Sequence, residues 1–259
     1  SDDSGEHWVV SNKNIDTSHQ QTIAPTPRYP TGESNVHLLN TPPENGDILY
    51  GYTQLKHLSA LAEAPVLLYK SIDKGASWLN ITPTNYRFLG HRLVFNPDNS
   101  SIIFSIFAKT AANSFVATVD TNIVMRSDDG GTNWQALGVP TKDTTEYDIT
   151  QIYLDPVDKN TLYANIKPAA TEPFENIKAI AKSVNLGESW DIIDITPFSA
   201  GSLIIDPSNN QKLLMTSKQG ILHSDNSGQH WMLSNKGIQH IGGKLSIAMS
   251  NNQAMYLAS

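Results

Sequence analysis

The chain contains no cysteine. Disulfide staples and thiolate-held metals are therefore excluded. Arginine is nearly as scarce, with four in 259 residues: Arg28, Arg87, Arg92 and Arg126. Lys+Arg number 18 against 25 Asp+Glu, a formal net charge of −7, and there is no basic run. A surface that tracks phosphates needs clustered cations, so no nucleic-acid partner is expected. No stretch approaches the ~20 apolar residues of a transmembrane helix. No signal-peptide pattern is read at the start of the sequence. The eight His do not cluster and show no HxH or HExxH spacing, so neither a metal nor a cofactor is expected. A nucleophile elbow, a phosphate-binding loop and a dinucleotide fingerprint are all missing. Helical periodicity is weak throughout. Short helical turns are expected only within Leu55–Ala64 and Glu172–Ala181.

What the chain does have is a recurring eight-residue box. It reads Ser127-Asp128-Asp129-Gly130-Gly131-Thr132-Asn133-Trp134, or Ser-x-Asp-x-Gly-x-x-Trp. The pattern recurs at Ser1, Asp3, Gly5, Trp8 and at Ser71, Asp73, Gly75, Trp78. With Asn in the Asp slot it returns at Ser183, Asn185, Gly187, Trp190 and at Ser224, Asn226, Gly228, Trp231. All five Trp of the chain close a box. The residue types suit a self-stapled hairpin turn. A Ser or Asp side chain accepts backbone N–H groups of its own turn. Gly supplies a position at φ > 0. The Trp opens the next strand and folds its ring back under the turn.

The five boxes resemble the Asp-box (BNR) repeat of sialidases, xyloglucanase-type glycosidases, sortilin-type receptors and photosystem assembly-factor propellers. The resemblance implies a β-propeller in which the boxes are structural and lie away from the working site. The spacing agrees. The box Trp residues stand 70, 56, 56 and 41 residues apart, periods that suit propeller blades. Each interval repeats strand, Asx-rich turn, strand, variable insert, strand, box and strand. The second unit illustrates this with strands at His91–Phe95, Ser101–Phe107, Asn122–Arg126 and Trp134–Leu137. The expected fold is all-β, a propeller of four-stranded antiparallel blades, with five units countable and a larger ring allowed. One domain over residues 1–259 is expected. The head (1–10) and the tail (244–259) are expected to share a blade. Their joined length is short by about one strand, and Ser1 opens inside a box. The chain is therefore read as part of a longer protein.

Strand alternation places function. Boxes and Asx-Pro turns join strands three to four and one to two, at one end of each blade. The inserts Ser11–Glu33, Gln54–Pro65, Ala108–Thr121, Thr141–Asp148 and Lys167–Ile177 fall at the opposite end. Loops on a rigid scaffold are where binding concentrates. Arg28, Tyr29, His57, Tyr86, Arg87, Tyr147 and Phe174 are the binding candidates there. A glycosidase needs two carboxylates facing across the scissile bond, and Glu33, Glu63, Glu146, Glu172 and Glu175 are the acidic candidates, with Asp143 and Asp148 beside them. The competing reading for each is a solvated loop charge. Arg28-Tyr29-Pro30 is similar to the Arg-x-Pro element of sialidases, but four Arg hardly furnish the carboxylate-binding triad that the family uses. The leading expectation is a non-catalytic propeller that binds a protein or glycan through its insert-bearing face. The alternative is a xyloglucanase- or sialidase-like glycoside hydrolase using paired insert carboxylates. An extracytoplasmic site of action, secreted or periplasmic, is expected.

Overall fold

The computed structural model describes residues 34–42, 44–55, 66–89, 92–109, 122–169, 179–195, 198–236, 245–250 and 253–258. Every regular element among them is a strand. The first sheet holds β1 (Ser34–Leu38), β2 (Leu49–Leu55), β3 (Leu67–Ser71) and β4 (Leu79–Asn80), in that order. The second holds β5 (Tyr86–Phe88), β7 (Asn99–Lys109), β8 (Asn122–Ser127) and β9 (Gln135–Ala136), with β6 (Val94–Asn96) also pairing β7. The third runs β10 (Thr141–Lys142), β11 (Thr145–Leu154), β12 (Leu162–Pro168), β13 (Ala179–Ser183) and β14 (Asp191–Asp194). The fourth is β15 (Leu203–Ile205), β16 (Leu213–Ser217), β17 (Gly220–Ser224) and β18 (Met232–Leu233). The antiparallel pair β19 (Leu245–Ser250) and β20 (Gln253–Ala258) follows. Consecutive antiparallel sheets of four or five strands, paired essentially in chain order, are the blades of a β-propeller.

Three expectations shift. The first strand of the second blade is two pieces, β5 and β6, rather than one run over His91–Phe95. Thr141–Asp148 is not a loop: Thr141 pairs Glu146 and Lys142 pairs Thr145, with Asp143 and Thr144 making the turn at φ 49 and 68. Two successive left-handed residues are what a tight two-residue hairpin requires. Ala179–Ala181, read both as part of a third strand over Lys178–Lys182 and as the end of a helical turn, belong to β13 as the strand reading has it, because cross-strand pairing with β12 outweighs a short run's propensity. The shared blade of head and tail involves residues 1–10, which lie outside the described residues.

The four described boxes are near-copies. Each Ser hydroxyl is buried and accepts the Gly N–H four residues on, at 2.8 Å in three boxes and 2.9 Å in the fourth. The same hydroxyl donates to the Asp or Asn Oδ1 at 2.7–2.9 Å. That Oδ1 in turn accepts the N–H of the residue before the Trp. Only one side-chain acceptor is needed, which is why Asn replaces Asp in two boxes. The residue before the box Gly is left-handed too: Lys74 at φ 57, Gly130 at 70, Leu186 at 58 and Ser227 at 57. This conformation aims its N–H at the turn between strands one and two of the same blade or, in the second blade, at the start of the strand that follows that turn. The bonds are Lys74 N to Asp47 O, Gly130 N to Ser101 O, Leu186 N to Asn160 O and Ser227 N to Gln211 O. Box and Asx turn therefore share one end of each blade.

Packing makes two compact units, one of Ser1–Ile103, Phe107–Asp120 and Ser127–Trp134, the other of Phe104–Ile106, Thr121–Arg126 and Gln135–Ser259. In the first, Trp134 Nε1 donates to Ile81 O at 3.0 Å, and Phe107 packs edge-on against the Trp134 ring. Tyr50 Oη and Lys70 Nζ both donate to Gly130 O, at 2.9 and 2.8 Å. Burial pushes the Tyr50 phenol up and the Lys70 amine down, the nearby Asp129 charge adding to the first shift and opposing the second. The second unit repeats the device, with Tyr163 Oη on Ser227 O at 3.3 Å and Lys182 over the Tyr163 ring. Burial pushes the Tyr163 phenol up to about 12. In that unit Trp190 Nε1 donates to Gly138 O at 2.9 Å. Its core joins Tyr163, Ile180, Ile195, Leu203, Ile205, Leu213, Met215 and Leu222. Each such side chain contributes about 1.5–3 kcal/mol of burial.

Candidate ligand-binding end

The end of each sheet away from its box is where the inserts leave. Of the binding candidates, Tyr86, Arg87 and Tyr147 are described. Of the acidic candidates, Glu146 is. Arg28, Tyr29, Glu33, His57, Glu63, Glu172, Phe174 and Glu175 lie outside the described residues, as do Ser1, Asp3, Gly5 and Trp8.

In the first unit, Tyr86 and Arg87 open β5, and Tyr86 pairs Lys109 at the insert end of β7. Both are half-buried, whereas Phe88 is fully buried between Tyr52 and Phe107 and offers no face to a ligand. Tyr52 stacks on His37 at 4.8 Å across the β1–β2 pair. Both rings are half-buried.

In the second unit, Glu146 and Tyr147 stand at the start of β11. Glu146 is exposed, Tyr147 half-buried. The acidic group with the most unusual setting is Asp148, 4% exposed. Its Oδ1 accepts the N–H of Asn122 at 3.1 Å, and its Oδ2 lies 3.9 Å from Lys167 Nζ. Burial raises its pKa against the lowering effects of the Asn122 N–H and the Lys167 charge. At the box ends, by contrast, hydrogen bonds from Ser77 and Ser71 draw the Asp73 carboxyl down to about 2. Asp206 and Asp155 cap their own turns, Asp206 through Ser208 and Asp155 through the N–H groups of Val157 and Asp158. Among the described residues no group of three His, Asp or Glu is placed to hold a metal ion. No helix among them is long and apolar enough to cross a membrane.

A second polar cluster was not anticipated. Asn165 in β12 is 1% exposed and donates to Gln151 Oε1 at 3.0 Å and to Gly201 O at 2.7 Å. Tyr153 Oη donates to the same Gln151 Oε1 at 2.6 Å. One signal for it lies in the chain: Leu-Tyr-Ala-Asn-Ile is a central strand that buries every residue, so its Asn needs a partner.

No family model matches the sequence. No curated protein matches it either. Solved structures do. An ancestral GH74 enzyme superposes with a TM-score of 0.52 at 16% identity, over 82% of this chain and 32% of that one. This likeness shows the fold. The chain is a β-propeller. The GH74 xyloglucanase from Xanthomonas campestris gives a TM-score of 0.46 at 16% identity, over 70% and 26% of the two chains. The GH74 enzyme from Niastella koreensis gives 0.42 at 18%, over 76% and 37%. The propeller described here spans about a third of the length of these structures.

Proposed function

We propose that this chain is a non-catalytic propeller of the Asp-box (BNR) type, a single domain over residues 1–259, that binds a glycan through its insert-bearing end. The observation that carries the reading is the commitment of Asp148. Among the described residues it is the buried carboxylate at that end of its sheet, and it is already held by the Asn122 N–H and Lys167. A hydrolase needs two carboxyl groups free to face one scissile bond. Within the same unit Tyr147 and Glu146 offer ring surface and hydrogen bonds beside Asp148, and in the other unit Tyr86 and Arg87 stand at the corresponding end of their own sheet. The likeness in fold to the ancestral GH74 enzyme makes a polymeric sugar the ligand class to test first, and an extracytoplasmic setting is where such polymers are met. The inference is by analogy of fold.

The same residue supports the second reading. A carboxyl whose pKa is raised by burial is what a general acid needs. One experiment separates the two. The protein is titrated calorimetrically with xyloglucan-, cello-, arabino- and galacto-oligosaccharides, and the same mixtures are assayed for newly released reducing ends. Binding without turnover is the expected result. Turnover that disappears in Glu146→Gln or Asp148→Asn would make the chain a glycosidase. Absence of binding to every sugar, with capture of a protein ligand instead, would move the ligand to the protein class.

A further inference from the structure

The Gln151 carboxamide is held by two donors on one side and by no described residue on the other. Tyr153 Oη and Asn165 Nδ2 both donate to its Oε1, at 2.6 and 3.0 Å. Asn165 is itself immobilised, because its amide also donates to Gly201 O and its residue is buried. A carboxamide is planar, so pinning Oε1 fixes the direction of Nε2. No hydrogen bond from Gln151 Nε2 is made to a described residue, and Gln151 is exposed. The result is a donor pair of set direction, presented from a rigid strand rather than a loop. Nearby, the Asn165 Oδ1 is buried with no hydrogen-bond partner, a second polar atom of the cluster left unanswered by the protein.

From this geometry we propose that Gln151 is a ligand-binding residue of the propeller, its Nε2 donating to hydroxyl or ring oxygens of a neutral sugar. The proposal rests on the glycan reading above and names a residue for it. Three features select the ligand class. The cluster has no cation of its own, since Lys167 on β12 faces Asp148, and β11 opens with exposed Glu146. A carboxylate ligand would meet no counter-charge there. An added peptide strand is disfavoured as well. The register of β11 shifts between Ile149 and Gln151, a bulge that breaks the even spacing a strand ladder requires. What β11 presents is a fixed side-chain donor, the kind of group that orients hydroxyls in concave sugar sites.

The test is Gln151→Glu. Glutamate keeps the acceptor for Tyr153 and Asn165, and replaces the outward donor with a negatively charged acceptor. Thermal stability is expected to stay at the wild-type value. The dissociation constant for whichever oligosaccharide of the panel binds is expected to rise roughly tenfold or more. Tyr153→Phe, which frees one of the two clamps, is expected to weaken binding by a smaller factor. Wild-type-like affinity in Gln151→Glu would overturn the role of Gln151 while leaving the glycan reading intact. A wild-type protein that binds none of the sugars overturns both. Tighter binding of an oligogalacturonate than of the neutral sugars would also refute the assignment, because that ligand is anionic.

Discussion

Gly130 and Gly131 are adjacent, both left-handed, and expected to respond very differently to a methyl group. At Gly131, φ is +93 and an added Cβ meets Ile81 Cδ1 at 2.7 Å and Trp134 Cζ2 at 3.6 Å. Both neighbours are held, one in the apolar contact and the other by its bond to Ile81 O. The left-handed backbone costs about 1–2 kcal/mol for an L-residue. Overpacking adds about 1–3 kcal/mol. Gly131→Ala is therefore expected to cost about 2–5 kcal/mol. At Gly130, φ is +70 and the Cβ meets the Lys70 Nζ at 2.6 Å, the far end of a flexible chain. The other three boxes carry Lys74, Leu186 and Ser227 at this very place. Gly130→Ala is expected to cost about 1 kcal/mol, the backbone term less some loss of unfolded-chain entropy. Urea and thermal unfolding of the two variants measure the gap. For a chain of this size it amounts to about 2–4 °C of melting temperature per kcal/mol. Equal losses, or a larger loss at Gly130, would refute the idea that inter-blade packing rather than backbone conformation makes the box Gly obligatory.

Ser71→Ala strips the buried N–H of Gly75 of its acceptor and should cost about 1–3 kcal/mol by urea unfolding, with Ser183→Ala alike in its own blade. The Asp73 carboxyl has a folded pKa near 2, below its unfolded value of 3.8, so its stabilising share is present above the unfolded value. That share is lost as pH falls through about 2, and Asp73→Asn, which keeps the same acceptor as Asn185 and Asn226, should flatten this part of the acid limb. Asp148 has the opposite sign. Its raised pKa means the folded chain binds the proton more tightly, so stability from this group grows as pH falls through its folded pKa. Asp148→Asn, still accepting the Asn122 N–H, is expected to be no less stable than wild type at neutral pH, and a marked loss in thermal unfolding would show that the Lys167 pair outweighs burial.

The boxes made the fold legible because their constraints are local. Ser127, Asp129 and Gly131 satisfy one another within five residues, and any chain that writes them writes the turn. The same locality marked β7 and β8, read at Ser101–Phe107 and Asn122–Arg126, where apolar runs are bounded by turn residues. Box position four is silent in the sequence because Lys, Leu and Ser carry no sign of a left-handed backbone. What forces it is the carbonyl of the neighbouring turn, brought close only by sheet pairing.

The candidate site was less legible. Tyr86, Arg87, Glu146 and Tyr147 were identified by where the inserts leave the blades, an argument from topology that assigns an end but no geometry. Gln151 carries no such signal, since a Gln in an alternating strand reads as a solvent-facing position. The sequence alone determined the repeated turn, the strand order and the end at which each turn sits, because these depend on residues near one another in the chain. Only the tertiary structure decided which carboxylate is buried, which amide is pinned and which glycine lies against a neighbour's side chain. Burial, register and inter-blade contact are set by residues 14 to 80 positions apart, and no local pattern encodes those distances.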